Sequence, residues 1–227
     1  MLALSAAGAL VAAVTACGSG KKHDKPATTA TPVAPPPSAG PLLDTLMIIR
    51  HAEKPTGSGA PHGITEAGEL DKESLTVRGW TRAGALVELF DPRGADGNPT
   101  PTRPGILQPA TIFASKPGGH DSKRSQETVT PLAAALHVQV DTRFAKGQTA
   151  DLAAALAGVR GPVLVAWQCE EIAAIIAHLG TVDPTPPASW PGDRFDVVYV
   201  LTRNSNGWIF TQVPQMLLAG DSPTPIT

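Results

Sequence analysis

The sequence predicts an α/β domain with a mostly parallel sheet and a C-terminal antiparallel hairpin. Apolar runs of strand length alternate with stretches whose apolar residues recur at helical spacing, the pattern of helices covering a mostly parallel sheet. Two late strand-like runs flank Asn206-Gly207, a turn dipeptide that joins antiparallel strands. The first apolar run ends abruptly in Arg50-His51. In open α/β sheets, ligands bind outside the carboxyl ends of strands, so that pair marks a candidate site.

Residues 45–50 form the first strand, apolar from Leu46 until Arg50. Residues 78–90 follow a helical pattern and stop at Asp91-Pro92. A short strand is expected over 111–115, then a helix over 123–136 in which Pro131 is tolerated if Thr130 caps a new turn. A strand at 138–140 and an Ala/Leu helix at 150–156 come next. The core strand 162–167 opens on Pro162, where proline is tolerated, and runs into a helix over 170–179. Strands 195–202 and 208–213 make the hairpin. Segments 57–75, 92–109 and 183–191 are long polar or Pro/Gly-rich loops, and such loops are often functional.

The first 41 residues are expected to lie outside this fold. Residues 2–16 are an apolar run, too short to span a bilayer, which takes ~20 residues, but suited to a signal-peptide core. No Lys or Arg precedes it within residues 1–5. The small residues before Cys17 look like a bacterial lipobox, which implies removal of 1–16, lipidation of Cys17 and anchoring on the outer side of the bacterial cell membrane. Residues 17–41 are rich in Pro, Thr, Ala and Gly and read as a tether. Residues 42–220 are then one domain and 221–227 a tail. The net charge of −2 gives no electrostatic case for nucleic acid. With Cys17 lipidated, Cys169 has no cysteine partner, so no disulfide scaffold is expected.

Three stretches fit with Arg50-His51-Ala52. Leu75-Thr76-Val77-Arg78-Gly79 enters the 78–90 helix, Ser115 precedes Arg124-Ser125-Gln126-Glu127-Thr128 at another helix start, and Trp167-Gln168-Cys169-Glu170 joins a strand to a helix. In this order they resemble the histidine phosphatase superfamily, with its Arg-His-Gly, Leu-Thr-x-x-Gly and Ser…Arg-x-x-x-Thr segments, over most of 42–213. The resemblance implies a three-layer phosphoglycerate mutase-like domain. It also implies hydrolysis of a phosphomonoester through a phosphohistidine on His51, without metal or cofactor. Arg50 and Arg124 are suited to holding the phosphoryl oxygens bidentately.

Cys169 stands where the family carries a second phosphate-contacting histidine. Nearby arginines and a helix N-terminus are expected to favour its thiolate, which would repel phosphate. Losing one such donor costs ~3 kcal/mol, about 10²–10³ in rate. The alternative is therefore a weak or dead enzyme that binds a phosphorylated or anionic ligand at the cell envelope. A mutase ranks last, and a cysteine nucleophile lacks the required Arg, since position 175 is Ile. Glu170 is the favoured proton donor, because an acidic residue follows the second histidine in the phytase branch; Glu53 and Glu88 are alternatives. Lys54 is a candidate extension of the anion site, His62 and His120 of its entrance. Trp80, Trp167 and Trp208 read as core or sheet-face residues, and Trp190, in the Pro-rich loop before a strand, is the exception.

Overall fold

A computed structural model describes residues 43–118 and 122–227. The expected signal segment, Cys17, the tether and His120 lie outside the described residues. Seven strands and four helices follow in the order β1 Thr45–Arg50, α1 Val77–Phe90, β2 Thr111–Ala114, α2 Arg124–Leu136, β3 Val140–Asp141, α3 Thr149–Leu156, β4 Val163–Trp167, α4 Cys169–Ala177, β5 Val182–Asp183, β6 Val197–Asn204, β7 Gly207–Pro214. The strands form one sheet in the order β3-β2-β4-β1-β6-β7-β5. The pairs β3/β2, β2/β4, β4/β1 and β5/β7 are parallel, while β1/β6 and the β6/β7 hairpin are antiparallel. This is the expected fold class.

The alternation of side chains along the strands builds three layers. Leu46 and Ile48 of β1, with Val163, Val165 and Trp167 of β4, face α3 and α4 through Leu152, Leu156, Ile172 and Ile175. Met47 and Ile49, with Leu164 and Ala166, face α1 and α2 through Leu86, Phe90, Val129 and Leu132. β1 and β4 are buried on both faces, so their sequences run apolar without interruption.

Two expectations need correction. β5 falls where a loop was expected; it pairs with the edge of β7. Helix α2 is continuous through Pro131, and the Thr130 hydroxyl donates back to the Gln126 carbonyl instead of capping a new turn. Residues 221–227, expected as a tail, pack against the domain. Ile226 is buried, and its N–H and C=O both bond to the Gln212 side chain. The Asp221 carboxylate accepts from Arg82 at 2.7 and 3.1 Å and from the N–H groups of Leu217 and Leu218.

Candidate active site

β1 ends one residue before His51, whose N–H donates to the Trp167 carbonyl at 2.9 Å and so extends the β1/β4 pairing. The chain then leaves the sheet through residues 52–54, and two neighbouring helices fix this turn. The Ala52 N–H donates to the Thr128 hydroxyl at 2.8 Å. Thr76, the N-cap of α1, donates both its N–H (3.0 Å) and its hydroxyl (3.2 Å) to the Glu53 carbonyl. Helix α1 approaches so closely that a Cβ on Gly79 would stand 2.4 Å from that carbonyl oxygen. The Glu127 carboxylate accepts from the Ser74 hydroxyl and the Leu75 N–H at 2.7 and 2.9 Å, tying α2 to the entry of α1. These contacts give the Leu75–Gly79 and Arg124–Thr128 segments their structural purpose.

The His51 ring is 5% exposed and its Nδ1 lies 2.8 Å from the Ala52 carbonyl oxygen. Burial, followed by Arg50, Arg124 and Lys54, pushes its pKa down to about 3 against the pull of that hydrogen bond. The imidazole is therefore neutral at neutral pH. A carbonyl only accepts, so the proton sits on Nδ1 and the lone pair is on Nε2.

His51 lines a cavity of about 220 Å³ at the carboxyl ends of β1, β2 and β4. Arg124 and Ser125 line it from the start of α2, Ser115 and Lys116 follow β2, and Gln168 and Glu170 follow β4. Lys54, Glu73, Ser122 and Lys146 complete the wall. The lining holds four cationic side chains against two carboxylates. Ser122, Ser125, Lys116, Lys146, Gln168 and Glu73 escaped the sequence reading; most directly follow a strand or open a helix, the positions where an α/β sheet gathers ligand groups. The Gln168 Oε1 is buried and has no hydrogen-bond partner among the described residues.

The expected anion-holding residues are placed unequally. Arg124 lines the cavity, with its guanidinium bonded to the carbonyls of Lys72 and Ser74 and 3.5 Å from Glu73. Arg50 is turned toward the 191–195 segment, though it stays close enough for its charge to act on His51. Its Nη1 donates to the carbonyls of Pro191, Gly192 and Arg194 at 3.2, 2.8 and 3.0 Å, and it stacks 4.0 Å over the Phe195 ring. Phe195 also tilts against His51, with ring centroids 6.1 Å apart. Arg50 thus anchors the 191–195 segment and is not among the residues lining the cavity.

Cys169 and Glu170 open α4 directly after Gln168. The thiol does not become a thiolate: burial raises its pKa and Glu170 adds to the rise, outweighing Arg50 and Lys54. Burial pushes the Glu170 carboxyl up too, but its own N–H, Lys146, the Cys169 thiol and Lys54 together hold it below its ordinary value.

Glu53 is taken by structure. Its carboxylate meets Arg82 at 2.9 Å and Arg78 at 3.2 Å, with Asp221 on the far side of Arg82. Glu88 is exposed on α1. His62 is exposed and lines a separate shallow depression with Asp71 and Lys72. Trp190 is 7% exposed and packs 4.4 Å from Tyr199 in the core.

No protein-family model and no curated protein matches the sequence. Among solved structures, the chain is similar to the protein histidine phosphatase SixA complexed with tungstate (14% identity, 75% of this chain and 97% of that one, TM-score 0.45). It is similar to mycobacterial glucosyl-3-phosphoglycerate phosphatase complexed with vanadate (18%, 74% and 97%, 0.41). It is also similar to a phosphoserine phosphatase variant from Entamoeba histolytica complexed with phosphoserine (13%, 74% and 94%, 0.44).

Proposed function

We propose that the protein hydrolyses phosphomonoesters through a phosphohistidine on His51. The observation that carries this reading is a neutral imidazole with its proton committed to the Ala52 carbonyl, at a cavity lined by Lys54, Lys116, Arg124 and Lys146. A phosphate monoester carries about two negative charges at neutral pH, which these cations match. Arg124 and Lys54 hold the non-bridging oxygens. His51 Nε2 attacks phosphorus in line, the P–O ester bond breaks, and the leaving oxygen takes a proton from the Glu170 carboxyl. The Nδ1–H to Ala52 bond stabilises the phosphorylated, positively charged ring. In the second step the Glu170 carboxylate takes a proton from water as it attacks phosphorus. The P–N bond breaks, and neutral His51 returns. Positioning and charge stabilisation supply most of the acceleration.

The Cys169 position supports a second reading, an anion-binding protein of low turnover. A neutral thiol is a weak donor, and Glu170 rests ionised, without the proton its acid role requires. In either reading the domain belongs at the cell envelope, held by lipid on Cys17.

The test is hydrolysis of an aryl phosphate by the full chain and by His51→Ala between pH 4 and 8. Turnover that disappears in His51→Ala, with ³²P trapped on histidine in the parent, is the expected result. Turnover that survives His51→Ala overturns the mechanism. A parent that binds inorganic phosphate but turns nothing over selects the second reading. Cleavage before Cys17 and mass addition at its new N-terminus test the anchor.

A further inference from the structure

Resting on the phosphatase reading, we propose that the Gln168 side-chain amide holds the water that releases phosphate from His51. Strand register sets the two residues side by side. β1 and β4 run parallel, with Ile48 opposite Val165, Ile49 opposite Ala166 and Arg50 opposite Trp167. The bond from the His51 N–H to the Trp167 carbonyl carries the pairing past the strand ends. Gln168 keeps extended backbone angles (φ −78°, ψ 139°). It therefore stands across from His51, one strand spacing (~4.8 Å) away. Opposite residues of a parallel pair share a face of the sheet, and both side chains line the same cavity.

The amide is also uncommitted. The Gln168 Oε1 is buried without a hydrogen-bond partner, and neither end of the amide bonds to a described residue. Other polar groups of the wall are engaged. The Arg124 guanidinium bonds to the Lys72 and Ser74 carbonyls. The Ser122 hydroxyl accepts the Arg124 N–H and donates to the Glu73 carbonyl. A buried oxygen without a donor is costly, and at a cavity wall it marks a place where a water or ligand completes the bonding.

The chemistry of the two ends decides what each takes. The amide oxygen only accepts and the amide nitrogen only donates. An ionised phosphoryl group has no proton to give, so it bonds to the nitrogen end. The oxygen end requires a donor, and in the second step that donor is water. One side chain thus spans both reactants of the hydrolysis. The glutamine arm reaches about as far from the strand as the imidazole. A hydrogen bond of ~2.9 Å extends it past Nε2, to the side of phosphorus from which water must come. Amides position water in this way in other phosphoryl-transfer enzymes. Glu170, two residues on, lines the same cavity. The water oxygen attacks phosphorus opposite Nε2 and its proton passes to the Glu170 carboxylate. The P–N bond breaks, and its electron pair returns to His51.

The full chain and Gln168→Met, mixed with p-nitrophenyl [³²P]phosphate and quenched at short times, test the proposal. Nitrophenol released in the first turnover reports phosphorylation of His51. Loss of label from the isolated phosphoprotein, which holds no leaving group, reports attack by water alone. Methionine fills a similar volume without the amide's donor and acceptor. Label should leave Gln168→Met about 10²-fold more slowly than the parent, while the first turnover slows far less. Equal slowing of both steps overturns the proposal, as does label loss at the parental rate; with label on histidine in the parent, either result leaves the phosphatase reading intact. A parent that never carries label on histidine fails that reading, and the proposal with it.

Discussion

The Thr128 hydroxyl accepts the Ala52 N–H at 2.8 Å and gives its own proton to the Arg124 carbonyl at 2.6 Å. One side chain thereby joins the turn after His51 to the helix that supplies the cavity arginine. Thr128→Val removes both bonds and leaves the Ala52 N–H unsatisfied, a loss of about 1–2 kcal/mol. Turnover on an aryl phosphate should fall about tenfold, and Thr128→Ser should restore most of it. Unchanged turnover in the valine variant would show that Ala52 is placed by other contacts.

Glu170 rests below its ordinary pKa, and the proposed mechanism needs its protonated form, while His51 stays neutral down to about pH 3. Activity should therefore rise as the medium turns acidic and fall only as His51 itself protonates. Glu170→Gln should cost about 10²-fold on an alkyl phosphate and far less on an aryl phosphate, whose leaving group needs little help. Equal losses on both esters would remove Glu170 from the acid role.

The Cys169 thiol is neutral and donates weakly. Cys169→His should raise turnover by up to about 10²-fold by adding a donor at the start of α4. The readout is kcat on an aryl phosphate, with KM followed separately. A rise in affinity without a rise in kcat would count against transition-state help at this position.

Acid should unfold the protein in two stages. His51 binds a proton near pH 6.5 when unfolded but only near pH 3 when folded, so the unfolded state holds more protons between these values and stability declines as pH falls from about 6.5. Asp221 works at lower pH. Arg82 and two backbone N–H groups overcome burial and hold its carboxyl at about 2, so its contribution is complete above the ordinary aspartate value of ~3.9 and is lost as pH falls through about 2. His51→Ala should flatten the upper stage in a plot of Tm against pH, and Asp221→Asn the lower one. A Tm that does not change between pH 6.5 and 4.5 in the parent would contradict the first assignment.

Asp221 and Glu53 flank the nearly buried Arg82, with side chains only 1% and 12% exposed. Asp221→Ala leaves that guanidinium half-compensated and should cost about 3 kcal/mol of stability. Urea unfolding monitored by tryptophan fluorescence measures it. Because Arg82 also holds Glu53, two residues after His51, the same variant should lose activity before it loses fold.

The fold was legible wherever burial dictates composition. β1 and β4 lie between two helical layers and are apolar from Leu46 to Ile49 and from Val163 to Trp167, so their bounds could be read from the chain to within one residue. β5 was not, since two residues at a sheet edge carry no periodicity. Arg50-His51 was recognisable as a strand end, but the carbonyls of Pro191, Gly192 and Arg194 that engage Arg50 lie over 140 positions away. The roles of Glu53 and Glu171 depend on partners at Arg82 and Gly147, each more than 20 positions away. Local spacing holds no trace of such pairings. Lys116 and Lys146 come to line the same cavity as His51 through the order of strands in the sheet, which becomes visible only once β4 is seen to lie between β1 and β2.

That intercalation has a consequence for biosynthesis. A chain emerging from the ribosome, N-terminus first, presents β1 and β2 long before β4, and the two earlier strands are not neighbours in the finished sheet. Until Val163–Trp167 threads between them, the cavity has no floor, and His51, Ser115 and Arg124 belong to no common surface. The complete cavity is thus withheld from every nascent fragment shorter than about three quarters of the polypeptide, and it closes in a single late event.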